Sequence, residues 1–114
     1  MIFKKNILNL IEGNDVLKNY ISKPDLEKIK NLNEFNFYDL LDGEYLVNIL
    51  VQRKKNFDDT HVQYFHLSEC IENLKVNLKV KMKWIPIKFG IFYIIFILDE
   101  EQHVFDFFGF RPNS

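Results

Sequence analysis

Apolar residues recur at helical spacing along the first part of the chain. Between residues 4 and 21 they stand three or four positions apart, at Ile7, Leu10, Ile11, Leu17, Tyr20 and Ile21. This spacing indicates a helix with one buried face, broken at Gly13-Asn14. A second helix is predicted from Ser22 to about residue 32, because Ser22 can cap its start and Pro24 fits its first turn.

The spacing changes after residue 34. Apolar runs at 35–41 and 44–51 flank Asp42-Gly43, and an Asp-Gly pair between such runs is a strong hairpin signal. We therefore predict a β-hairpin whose second strand covers 44–53. The competing interpretation is a helix over 34–41 that ends at Gly43.

The middle of the chain continues with shorter predicted elements. Residues 54–59 are polar and are predicted as a loop. Residues 61–67 are predicted as a strand. Residues 68–73 are expected to form a connection or a single helical turn.

Apolar and polar residues alternate strictly from Leu74 to Trp84. The polar positions are Lys75, Asn77, Lys79, Lys81 and Lys83. Successive strand residues face opposite sides of a sheet, so the pattern predicts a strand over 74–84 with one buried and one solvated face. Pro86 is expected to end or bend this strand.

The last part of the chain predicts two more strands. Residues 91–98 are almost continuously apolar, residues 99–102 read as a turn, and residues 103–110 return as the final strand. The prediction is one α+β domain over 1–114, with N-terminal helices at about 4–32 packed on an antiparallel five- to six-stranded β-sheet at about 35–110. The helices are expected to cover one sheet face, while the lysines leave the other partly open.

Composition excludes several classes of function. The chain has 114 residues with 15 basic and 16 acidic side chains and a net charge of −1, whereas nucleic-acid-binding proteins usually carry a basic excess. The longest apolar run, 91–98, is far shorter than the roughly 20 residues of a membrane-spanning helix. We therefore expect a cytoplasmic protein that binds neither nucleic acid nor membrane.

Candidate catalytic residues are sparse. The single cysteine, Cys70, stands between Glu69 and Glu72, whose charges would raise its pKa, and it is interpreted as a small buried residue. His61, His66 and His103 match no metal-ligand spacing, so neither a metal nor a cofactor is predicted. One histidine of the first two, with His103 and a lysine, leaves open a small nuclease.

Acidic turns are the better candidates for a binding site. They comprise Asp58-Asp59, Asp99-Glu100-Glu101 and, less centrally, Asp42 and Glu44. Loop tips at one end of a sheet can converge, and an acidic rim can mimic phosphates and steer a basic partner. Exposed rings beside Asp106 and Arg111 would add interface contacts.

With these acidic turns and a composition rich in Lys, Asn, Ile and Phe, the chain resembles bacterial immunity proteins that neutralise the toxins of contact-dependent growth inhibition systems. The resemblance implies a protein partner, a basic toxin domain with nuclease activity, and no catalysis. We expect Asp58, Asp59, Asp99, Glu100 and Glu101 to contact that partner and cover its active site. The alternatives are the histidine-dependent nuclease and a homo-oligomeric structural module; the sequence leaves the oligomeric state open.

Overall fold

The computed structural model describes residues 2–38 and 40–112 and confirms the α+β class with an antiparallel sheet. Within those residues the sheet has five strands in the order β1-β3-β4-β5-β2. In chain order the elements are α1 (Ile2–Gly13), α2 (Asp15–Lys18), α3 (Lys23–Asn31), β1 (Leu41–Asp42), α4 (Gly43–Thr60), β2 (Gln63–Phe65), α5 (Leu67–Lys75), β3 (Lys81–Phe89), β4 (Phe92–Asp99) and β5 (Val104–Arg111).

The N-terminal helices form where the sequence predicts them. The break falls at Asn14, whose side chain accepts a hydrogen bond from the Leu17 N–H at 3.1 Å and so caps α2. Ser22 caps α3 in the same way, accepting from the Asp25 N–H at 3.3 Å. Both caps satisfy N–H groups that the first turn of a helix leaves without a partner.

The predicted hairpin across Asp42-Gly43 is wrong, and so are the strand at 44–53 and the loop at 54–59. These residues form the single long helix α4. Asp42 adopts an extended conformation (φ −74°, ψ 162°), and its carboxylate accepts from the Tyr45 N–H at 2.8 Å. The dipeptide that signals a tight turn here starts a helix, because Asp is also a strong N-cap.

The segment before α4 also differs from both sequence interpretations. Residues 32–38 and residue 40 lie in neither a helix nor a strand, and residue 39 of the predicted segment falls outside the described residues. Among the described residues of this segment, Leu41 and Asp42 are the ones that pair with β3 as a strand. The alternative helix over 34–41 is therefore wrong as well.

The predicted strand over 74–84 is correct only from Lys81 onward. Leu74 completes the buried side of α5, which spaces its buried residues by three and four positions, at Leu67, Cys70, Ile71 and Leu74. Residues 76–80 form a turn. Lys75 and Lys79 therefore lie outside β3, and the lysines do not form one stripe along a strand.

Pro86 lies in the middle of β3 and pairs with Ile95 of β4, so it does not end the strand. The Trp84 carbonyl accepts from the Tyr38 N–H at 3.0 Å on the outer side of β3. Alternate residues direct their backbone groups to the same side of a strand, so Pro86 also faces this outer edge. Its missing N–H removes no hydrogen bond from the ladder with β4.

Helices pack on both faces of the sheet, whereas the sequence predicted helices on one face and a second face left partly open by the lysines. Helices α1 to α3 pack on one face, where Phe3, Ile7 and Ile29 meet strand residues such as Phe96. On the other face, α4 and α5 pack against a second group of buried strand residues: Met82, Trp84, Ile97 and Phe108.

The remaining strand predictions are confirmed with small shifts. Strands β4 and β5 match the predicted 91–98 and 103–110 within one or two residues. The strand expected at 61–67 is shorter and pairs with β5 at the edge opposite β1. There Gly109 lies opposite Phe65, and a Cβ at Gly109 would stand 2.1 Å from the Phe65 ring.

We predict opposite effects for alanine at two helical glycines. A Cβ at Gly43 would stand 2.5 Å from the Asn77 carbonyl oxygen and 3.0 Å from the Leu78 Cα, so Gly43→Ala should destabilise the fold by about 1–3 kcal/mol. A Cβ at Gly13 would have no atom within 4 Å, so Gly13→Ala should stabilise by roughly 0.5–1 kcal/mol. Urea unfolding of the two variants measures both; equal effects would contradict the close approach at Gly43.

Candidate functional site

The acidic turn between β4 and β5 is organised by its own first residue. One carboxylate oxygen of Asp99 accepts from the Glu101 N–H at 2.9 Å and from the His103 N–H at 3.0 Å. Glu100 and Glu101 are exposed, and a Glu101 oxygen lies 3.6 Å from Nδ1 of His103. Asp99 thus holds the turn in shape, while the two glutamates face solvent.

Asp42 lies at the same end of the sheet as this turn. It pairs with Lys81 of β3, while the neighbouring Met82 pairs with Asp99 of β4. Lys79, Val80 and Lys81 border a surface hollow together with Asp99, Glu100 and Glu101. Two of the three acidic groups are therefore brought together, with lysines between them.

Asp58 and Asp59 lie at the other end of α4. They are separated from Asp42 by about 24 Å along the helix axis, at 1.5 Å per residue. The Asp58 carboxylate accepts from the Tyr64 hydroxyl at 2.9 Å and from the Lys54 ammonium at 3.2 Å. These two bonds, the tyrosine's first, lower the pKa of Asp58. Asp58 and Asp59 are both exposed.

Val80 borders the acidic turn in the hollow beside Lys81, and exposed apolar residues on neighbouring segments, which sequence reasoning missed, lie close to it along the chain. We call Val76, Leu78 and Val80, with Tyr45 of α4, the apolar patch. Tyr45 is 57% exposed and Val76 79% exposed. On the far side of the turn, Phe37 and Leu40 border another hollow with Asp99 and Glu100. The alternation at 74–84 had assigned the three patch residues of that segment to the core.

The backbone of the same turn holds the start of α4. The Val80 carbonyl accepts from the Gly43 N–H and the Leu78 carbonyl accepts from the Glu44 N–H, each at 3.0 Å. With the Asp42 cap on Tyr45, three N–H groups of the first helical turn have acceptors from outside the helix. The patch is therefore fixed in position relative to α4.

The three histidines lie in separate surroundings. His61 follows α4 and His66 precedes α5, both in left-handed conformations with φ of 57° and 60°. His66 Nε2 lies 3.1 Å from an Asp106 oxygen, whereas His103 stands beside Asp99 and Glu101. No group of histidine, cysteine and acidic side chains within residues 2–38 and 40–112 has the arrangement of a metal site.

Asp106 is the centre of a polar group that joins β5 to α5. Besides His66, its carboxylate accepts from the Asn73 amide at 3.1 Å and from the Phe107 N–H at 2.8 Å. The His66 ring stacks on Phe107, with centroids 4.3 Å apart. Asp106 therefore serves the fold rather than an exposed rim of aromatic rings, and its partners lie too far away in sequence for a local pattern to show them.

Replacing Asp106 should destabilise the protein. Asp106→Ala leaves the His66 ring and the Asn73 amide without their acceptor, which costs roughly 1–3 kcal/mol. Glu72→Ala is the matched control, because Glu72 is exposed on α5 and its ion pair is with Lys75, three residues away on the same helix; it should cost less than about 0.5 kcal/mol. Chemical denaturation measures the free energy of unfolding of both variants. Similar decreases in the two would argue against the Asp106 group as a structural link.

The Cys70 thiol is buried against α4 and the sheet. Burial, and then the nearby Asp106 charge, raise the pKa of this thiol far above its usual value. Only the thiolate is a good nucleophile, so we predict that the folded protein does not react with Ellman's reagent at pH 8, while the unfolded protein reacts with one equivalent. Rapid stoichiometric reaction of the folded protein would contradict this assignment.

The chain matches no protein-family model, no curated protein and no solved structure. Among the described residues, no helix has the length and the apolar character needed to cross a bilayer. The geometry of the surface therefore carries the functional interpretation.

Proposed function

We propose that this protein is a non-catalytic binding protein, an immunity protein that neutralises a cognate bacterial toxin in the cytoplasm. The toxin would be a basic nuclease domain whose active site the protein covers. The observation that supports this proposal is the apolar patch beside the Asp99–Glu101 turn. Such patches with a charged border are characteristic of protein interfaces.

The apolar patch supplies the contact area. Tyr45 is a large, exposed aromatic side chain on a rigid helix, and tyrosine is enriched among residues that dominate binding energy. Val76, Leu78 and Val80 extend the patch along the neighbouring turn. A partner that buries these side chains removes apolar surface from water at about 25 cal/mol per Å².

The acidic residues supply steering toward a basic partner. Glu100 and Glu101 are exposed on a turn that Asp99 holds in one conformation, so their charges stand at a fixed place beside the patch. Rim charges of this kind chiefly raise the association rate, and their effect falls with salt. Lys79 and Lys81 on the same border favour a partner that carries some acidic groups among its basic ones.

The exposed face of α4 connects the two acidic groups. Tyr45, Asn48, Gln52, Lys55 and Asp59 are all exposed and recur every three or four residues, which places them on one side of the helix. An interface of common size, with about 800 Å² on each partner, is roughly 30 Å across. One toxin domain can therefore contact Tyr45 and Asp59 together.

The proposal is tested by capture followed by a protection assay. The tagged protein is used as bait in its native host, and captured proteins are identified by mass spectrometry. Each is then expressed from an inducible promoter, with and without this protein. We expect one captured protein to degrade nucleic acid and arrest growth when expressed alone, and growth to be restored when both are present.

Variants of the patch and the turn locate the interface. Tyr45→Ala should weaken toxin binding about ten-fold or more, mainly through faster dissociation. Glu100→Lys with Glu101→Lys should slow association and reduce its salt dependence. Glu12→Lys is the control, because Glu12 is exposed on α1, which packs on the opposite face of the sheet. The proposal fails if no toxic partner is captured, or if all three variants bind and protect like the wild type.

A further inference from the structure

The helical cover of the second sheet face stops short of one end. There Trp84, Pro86 and Ile95 line an open hollow of about 250 Å³. Tyr93 and Phe110 continue its wall as a stacked pair, with ring centroids 5.7 Å apart. We call this hollow the aromatic groove; it is separate from the apolar patch and from the acidic turns.

A cation is held at the rim of the aromatic groove. The Arg53 guanidinium, from the exposed side of α4, lies over the Trp84 ring with its carbon 5.6 Å from the ring centroid. Within the part of the chain that the structure describes, no carboxylate lies within ion-pairing distance of Arg53. A guanidinium that uses its face against a ring keeps its in-plane N–H groups free for a carboxylate.

A second unused donor belongs to the same wall. The Trp84 indole N–H is buried and has no acceptor in residues 2–38 and 40–112. A buried donor without an acceptor is costly, but this nitrogen is enclosed by the protein, so a ligand is held by the Arg53 charge and the ring faces and not by the indole N–H. Across the groove, the Tyr38 ring packs edge-on against Trp84 at 5.6 Å and limits the width available to a ligand.

We propose that the aromatic groove binds a small aromatic carboxylate, with the carboxylate on Arg53 and the ring between Trp84 and Tyr93. The charge of the ligand follows from the Arg53 guanidinium, which has no carboxylate partner among residues 2–38 and 40–112, and its ring from the aromatic walls, which favour edge-to-face and offset contacts. The hollow is smaller than the roughly 300 Å³ at which sites for drug-sized ligands begin. It therefore suits one ring with a short acid side chain. This site goes beyond toxin binding and does not depend on it.

The single tryptophan makes the proposal directly testable. Trp84 is the only tryptophan in the chain, so its fluorescence and its one indole N–H resonance both report on the groove. We titrate the purified protein with 3-phenylpropionate, and with 3-phenylpropionamide as the uncharged analogue. We expect saturable quenching and a saturable shift of the indole resonance, with a Kd below about 1 mM for the acid and at least five-fold weaker binding of the amide.

Paired variants distinguish an effect of the Arg53 charge on ligand binding from an effect of the substitution on folding. Arg53→Gln should weaken binding of the acid about ten-fold or more, and leave binding of the amide unchanged, because a charge-assisted hydrogen bond is lost. Lys55→Gln removes a charge from the exposed side of the same helix outside the groove and should change neither. Thermal melts confirm that both variants fold. Lack of saturation by about 10 mM, equal binding of acid and amide, or unchanged binding by Arg53→Gln would each overturn the proposal.

Discussion

Both faces of the central strands are apolar, and this single constraint determines the arrangement of the helices. Along β4, Ile94, Phe96 and Leu98 point toward one cluster, while Ile97 points toward the other. Each fully buried side chain of this size contributes about 1.5–3 kcal/mol relative to exposure, so neither face can be left in water. Helices α1 to α3 therefore cover one side, and α4 with α5 covers the other. Where the second cover ends, the aromatic groove remains.

Signals that act within a few residues predicted the fold well at both ends of the chain. The caps at Asn14 and Ser22 use side chains close in sequence to the N–H groups they satisfy, and β4 and β5 follow from apolar runs around a short turn. The prediction for the middle of the chain was wrong because the sequence patterns there fit more than one structure. Asp42-Gly43 suits a hairpin or a helix start, and Leu46 and Leu50, both buried, carried the helical spacing that decides between them. Leu74 follows the three- and four-residue spacing of the buried residues of α5, although it also fits the two-residue alternation of the segment that follows.

The candidate site was less predictable than the fold, because its geometry depends on contacts between distant segments. The sequence identifies the acidic residues but not the hydrogen bonds that their carboxylates accept within the protein. Asp58 accepts from Lys54 and Tyr64, and Asp99 accepts from backbone N–H groups of its own turn. Glu100 and Glu101 remain exposed on that turn. Asp106 contacts His66 and Asn73 only because α5 packs against β5, and no local sequence pattern predicts that packing. That Arg53 has no carboxylate partner among the described residues likewise appears only with the fold.

The turn at 76–80 joins the fold to the proposed interface. The backbone of this turn stabilises the start of α4, because the carbonyls of Leu78 and Val80 accept hydrogen bonds from the first N–H groups of the helix. Any residue can supply such a backbone carbonyl, so these hydrogen bonds do not require particular side chains at positions 78 and 80. Polar side chains there would keep the same hydrogen bonds and avoid exposing apolar surface. Leu78 and Val80 still bury more than half of their surface in the fold, whereas Val76 is 79% exposed. The apolar character of Val76 is thus unexplained by stability alone, and the proposed partner would give it a reason.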